Sequence, residues 1–146
     1  MKGQRISWRP EATLAAMNAK AHDTMVEMLG IVLTEVGDDY LKGTMPVTSR
    51  NCQPMRILHG GASVAFAESL ASIAANWSLN DEQAAVGQEI NANHLRPARE
   101  GETVTGITRL VHAGARSQVW AIDIYNEQGQ PVCISRITIA IIKRRS

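Results

Sequence analysis

The sequence predicts an α+β fold in which a curved antiparallel sheet wraps around one long central helix. Three observations carry that expectation. From Gly60 to Leu79 the chain is rich in Ala, Leu, Ile and small residues, which reads as one long helix. Beyond Asn80 and Asp81, three turn signals divide the rest into four strand-length segments, the plan of an antiparallel meander. The helix is apolar nearly all round, so it must be enclosed rather than lie on a surface.

The elements follow in order. Residues Glu11 to Lys20 carry Ala, Leu and Met at helical spacing after Pro10, which suits a helix start. A second short helix is expected from Asp23, as N-cap, to Leu29, ending at Gly30. Ile31 to Glu35 reads as a strand, Gly37, Asp38 and Asp39 as a turn, and Tyr40 to Val47 as the returning strand. Thr48 to Leu58 lacks clean periodicity and is expected to be a loop. The four later strands are Ala84 to Leu95, Glu102 to His112, Ser117 to Tyr125 and Val132 to Ile142. The turns are Pro97 to Gly101, Ala113 to Gly114 and Asn126 to Gly129. In the third of those strands Trp120, Ile122 and Ile124 alternate with Val119, Ala121 and Asp123, a half-buried pattern. A sheet of this kind around such a helix is the hotdog arrangement, and 146 residues fit it as one domain, 1–146.

Charge and composition exclude several function classes. Fifteen Lys plus Arg against fourteen Asp plus Glu leave a net charge of +1, which argues against a general nucleic-acid or membrane-surface binder. The basic ending Lys143, Arg144, Arg145 reads as a solvated tail. No apolar run is long enough to span a bilayer and no secretory h-region follows Met1, so a cytoplasmic protein is expected. Cys52 and Cys133 lie far apart with no C-x-x-C partner, and are expected as reduced thiols. His22, His59, His94 and His112 show no ligand spacing, so no metal site is expected. Neither a dinucleotide fingerprint nor a P-loop is present.

The chemistry is expected at Glu68, the only formally charged residue between His59 and Asn80. Its neighbours are Phe66, Ala67, Leu70 and Ala71, so a carboxylate there loses much of its hydration. The plainer alternative is an exposed stripe shared with Ser72 and Asn76. Ser72, four residues on, shares a helix face with the carboxylate and could orient it or a water, though serine in such a helix also serves packing. The helix begins at His59-Gly60-Gly61, where first-turn N–H groups have no intrahelical partner and could hold an oxyanion. Gly61-Ala62-Ser63-Val64-Ala65 is a near miss to the G-x-S-x-G elbow. Its final glycine is absent and the strand–turn–helix context is missing, so Ser63 is rejected as nucleophile.

Gln53-Pro54, Leu58-His59-Gly60-Gly61-Ala62-Ser63 and Ala67-Glu68-Ser69 together resemble the hotdog-fold thioesterases of the phenylacetate-pathway type. The likeness is closest to the branch of enterobactin proofreading and dihydroxynaphthoyl-CoA thioesterases. It extends to Gly37-Asp38-Asp39, Met45-Pro46-Val47, Glu89-Ile90-Asn91-Ala92-Asn93-His94 and Gln118-Val119-Trp120, covering nearly the whole chain.

The resemblance implies that Gln53 and the Gly60 N–H polarise a thioester carbonyl, with Glu68 as nucleophile or general base. It implies support from His59 and Ser72, and His94 lining the acyl pocket. It further implies substrate contacts at Gly87, at His94, Leu95, Arg96 and Pro97, and at His112, Ala113, Gly114, Ala115, Arg116 and Ser117. Arg96 and Arg116 suit phosphate or pantetheine. The implied substrate is an acyl-CoA or acyl-carrier thioester, with CoA or phosphopantetheine as part of the substrate and no cofactor. The implied assembly is a homodimer or dimer of dimers, a homotetramer, in which Glu68 faces Gln53 and Gly60 of a partner. Relatives carry Phe-Gly-Leu where this chain has Met55-Arg56-Ile57, which puts a charge beside the site. Two rival readings are a hotdog dehydratase, which would need a loop histidine where Gln53-Pro54 stands, and a non-catalytic acyl-CoA-binding module, which would not need a buried acid.

Overall fold

In the computed structural model, which describes residues 2–145, helix α3 (Gly60–Trp77) packs against strands β2 to β6. Two short helices, α1 (Leu14–Ala19) and α2 (Met25–Met28), precede the sheet. The strands are β1 (Val32–Val36), β2 (Tyr40–Pro46), β3 (Gln83–His94), β4 (Thr103–Ala113), β5 (Ser117–Tyr125) and β6 (Pro131–Lys143). They form one six-stranded sheet in the order β1-β2-β4-β5-β6-β3, antiparallel throughout, with β1 and β3 at its edges. This is the hotdog fold.

Alternation explains how the sheet faces the helix. In β5, Gln118, Trp120, Ile122 and Ile124 are buried, and β4 buries Val104, Gly106, Thr108 and Leu110. The helix supplies Phe66, Leu70 and Ala74, each with no exposed surface. Its close approach depends on glycine. Gly43 of β2 and Gly106 of β4 are register partners, and both lie under Leu70. A Cβ on Gly106 would sit 2.5 Å from Leu70 Cδ1 and 3.0 Å from the Phe66 ring.

The enclosure is one-sided within this chain. Phe66, Ala67, Leu70, Ala71, Ala74 and Ala75 are buried, whereas Ala65, Glu68, Ser72, Ile73 and Asn76 on the other face are half-buried. The expectation of a helix covered all round is therefore met by only half of its surface. Local starts also differ from expectation. α1 begins after Thr13, whose hydroxyl accepts from the Ala16 N–H at 3.1 Å, and Pro10 lies in a preceding turn. α2 is capped by Thr24 rather than Asp23, because Asp23 has φ +58° and an N-cap needs extended backbone. The basic ending is not a free tail. Lys143 closes β6 opposite Gln83, and the Arg144 N–H donates to the Glu82 carbonyl at 2.8 Å. Ser146, the last residue of that segment, and Met1 lie outside the described residues. Among the described residues no helix is long and apolar enough to cross a membrane.

Candidate active site

Gln53 is held by a tight, irregular loop. Its backbone N–H donates to the Ile57 carbonyl at 2.9 Å, and its own carbonyl accepts from the Arg56 N–H at 2.9 Å. Its side-chain oxygen accepts from the Met55 N–H, which leaves the amide NH2 as the free donor. Arg56 occupies a left-handed conformation at φ +62°. Its guanidinium grips Glu100 Oε2 through Nε at 2.9 Å and Nη2 at 2.5 Å. The charge that the sequence places beside the site is thus paired with an acid. Asn51, buried, braces the same loop by donating to the Pro46 carbonyl and accepting from the Thr48 N–H.

The loop delivers the chain to α3 at His59, the N-cap. Its Nδ1 accepts from the Gly61 N–H at 2.8 Å, while the N–H groups of Ala62 and Ser63 turn to the His59 carbonyl. That leaves the Gly60 N–H as the one first-turn donor with no partner among the described residues. The His94 ring lies against Gly60, since a Cβ there would be 2.9 Å from His94 Nε2. Gln53, Gly60, His94 to Pro97 and the buried Ser63 share one cleft of about 410 Å3. Ser63, rejected as a nucleophile, thus lines the same cleft as Gln53 and Gly60, and only its neighbours in sequence hinted at that. Arg96 at the cleft donates to the Pro131 carbonyl at 2.9 Å.

Glu68 is elsewhere. Eight residues beyond Gly60, it lies about 12 Å along the helix from that N–H. The carboxylate is half-buried and rests on β3, where a Cβ on Gly87 would collide with Oε2. Gly87 adjoins a β-bulge between itself and Glu89, which alters the twist of the strand there. No hydrogen bond or ion pair engages Glu68 within the described residues. Ser72, one turn on, makes no hydrogen bond to it and instead lines a second cleft of about 470 Å3 with Ile73, Asn76 and Trp77. The hairpin from His112 to Ser117 lies level with Glu68 rather than with Gln53, because Ser117 aligns with Ala140 and Ala140 with Val86. The expected residues therefore form two groups: Gln53, His59, Gly60 and His94 to Pro97, and Glu68, Ser72, Gly87 and His112 to Ser117.

Both cysteines are free, and burial pushes the Cys133 thiol above its ordinary range. No cluster of three or more His, Cys, Asp or Glu fit to hold a metal occurs among the described residues.

The thioesterase superfamily model matches residues 55–133. The chain is 50% identical over 135 residues to the 1,4-dihydroxy-2-naphthoyl-CoA hydrolase of Escherichia coli, covering 92% of this chain and 98% of that one. It is 49% identical to the proofreading thioesterase EntH of Cronobacter sakazakii, over 92% and 98% of the two chains. Among solved structures, a mutant thioesterase from Pseudomonas aeruginosa superimposes with a TM-score of 0.91 at 39% identity, covering 94% of this chain and 99% of that one.

Proposed function

This chain belongs to the thioesterase superfamily and is a thioester hydrolase, and from that premise we propose that it hydrolyses acyl-CoA or acyl-carrier thioesters, with aromatic acyl groups preferred. In this reading Glu68 is the nucleophile or the general base on water. The Gln53 amide and the Gly60 N–H polarise the carbonyl, and His94 contacts the acyl group beside it. CoA or phosphopantetheine arrives as part of the substrate, and no cofactor takes part.

The observation that carries the reading is the separation of Glu68 from Gly60. A nucleophile and an oxyanion donor must each lie about 3 Å from the same carbonyl group. About 12 Å of helix between them forbids that within one chain. Two copies related by a two-fold axis remove the conflict, with Glu68 of one facing Gln53 and Gly60 of the partner subunit. Three features support such pairing. β3 is a sheet edge of 12 residues with unpaired backbone groups, and Val86 on it is 45% exposed. Antiparallel pairing of β3 with its copy would bring the His94 half of one near the Gly87 half of the other. The half-buried face of α3 would be covered at the same time.

The aromatic preference rests on similarity to a hydrolase of a naphthoyl thioester and on His94, whose imidazole can hydrogen-bond a ring hydroxyl. Two measurements test the proposal. Thiol release should proceed with a higher kcat/KM on benzoyl- or hydroxybenzoyl-CoA than on hexanoyl- or palmitoyl-CoA; the reverse order would sink the aryl assignment alone. Mixing inactive Glu68→Gln with inactive Gln53→Ala should restore part of the activity through hybrid dimers. No recovery, with subunit exchange demonstrated, would mean that each site is contained in one chain.

A further inference from the structure

The cleft that opens at Ser72 has walls and a rim of different character. Ile73 and Trp77 line it with apolar surface, and Ser72 and Asn76 continue the helix face that carries Glu68. Ser72, which lines it, is one turn, about 6 Å along the helix, beyond Glu68. The cleft reaches toward the C-terminal end of α3, where three cations and one acid surround it: Arg9, Lys20, Arg144 and Glu11.

These charges are not equivalent. Arg9 is consumed by the fold, with Nε donating to the Leu79 carbonyl at 2.5 Å, Nη2 to the Asn80 carbonyl at 2.9 Å, and Nη1 paired with Asp81 at 2.8 Å. Lys20 has no acid partner among the described residues. Arg144 donates only Nε, to the Gln83 carbonyl at 3.3 Å, which leaves its two terminal nitrogens available. Arg56, the charge that the sequence places beside the site, is already held by Glu100. Two unspent cations therefore line a cleft that begins one helical turn beyond Glu68, and Glu11 is the one acid among its lining residues.

We propose that this cleft receives the acyl group and that Lys20 and Arg144 select acyl groups ending in an anion, such as an aryl group with a carboxylate opposite its thioester. The inference rests on the thioesterase reading above and names a substrate class for that same site. Ile73 and Trp77 would contact the ring, and Lys20 and Arg144 would hold the carboxylate in charge-assisted hydrogen bonds. Glu11 would work against them.

The test compares benzoyl-CoA with 4-carboxybenzoyl-CoA, and the same two acyl groups as N-acetylcysteamine thioesters, which carry no phosphate. The native protein should favour the carboxylated substrate by about tenfold in kcat/KM, the scale of a hydrogen bond to a charged group. The preference should persist with the phosphate-free carrier. Lys20→Gln with Arg144→Gln should collapse the ratio toward one, and Glu11→Gln should raise it. A ratio of one or less in the native protein would overturn this inference while leaving the hydrolase reading intact. Equal losses on both acyl groups in the double variant would overturn it too, because the cations would then serve the phosphates of CoA. Failure to hydrolyse either pair would overturn it together with the aryl-thioesterase reading.

Discussion

Helix α3 holds Glu68 by repetition. Every turn before and after it contributes a buried residue, from Ser63 and Phe66 through Leu70 to Ala74, and β4 and β5 bury every second residue beneath it. The loop that holds Gln53 is built from contacts that occur once: a side-chain brace from Asn51, a left-handed Arg56, an ion pair to Glu100, and isolated bridges from Cys52 to Leu58 and from Ile57 to Arg99. The difference teaches where each half of the proposed chemistry is vulnerable. Removing one contact from the helix leaves neighbours that still define its geometry. Removing one from the loop leaves nothing redundant.

The largest expected effect breaks the chemistry on the well-supported side without touching its support. Glu68→Gln should lower turnover by about a hundredfold or more, the scale of losing a principal acid–base or nucleophilic group. The amide is nearly isosteric and Glu68 has no partner among the described residues to lose, so thermal unfolding should be unchanged. Near-native turnover in a folded variant would remove Glu68 from the centre of the site.

The same contrast explains what was legible in the sequence. Periodicity is a property of regular elements, so α3 and the strands could be read from it, and β5 falls where its alternation puts it, at Ser117–Tyr125. Glu68 stood out because its surroundings were uniform. Short elements carry too little period to fix their starts, which is why the sequence points to Pro10 and Asp23 while the helices are capped by Thr13 and Thr24. The seat of the helix was not legible either. Gly43 and Gly106 are distant in sequence and become meaningful only when β2 and β4 pair and bring them under Leu70. A methyl group there should test how tightly the regular half is packed. Gly106→Ala should destabilise the fold by about 1–3 kcal/mol through overpacking, read from the urea midpoint. A change within error would mean that Leu70 and Phe66 move aside freely, so that the seat is looser than these distances imply.

Arg56 gives the smallest and most discriminating test, because its two contributions to stability oppose each other. A left-handed arginine costs about 1 kcal/mol relative to glycine, which adopts that conformation freely. Its ion pair with Glu100 is partly exposed, at 56% and 38% of the two side chains, so screening limits it to about 1 kcal/mol or less. Arg56→Gly removes both the strain and the pair, and the expected change in stability is within about 0.5 kcal/mol of zero. Activity should not cancel in this way. The Arg56 N–H donates to the Gln53 carbonyl, and its guanidinium ties that turn to the segment after Ala98, so glycine frees the turn that aims the Gln53 amide. A fall of a few-fold in kcat with little change in KM is expected, because a misplaced polarising donor is felt in the transition state more than in binding. Arg56→Lys, which retains a charge but not the two-nitrogen grip, should fall between the two. Equal kcat in the native protein and Arg56→Gly would mean that the turn holds Gln53 through its backbone bonds alone, and that the clamp has no part in positioning it.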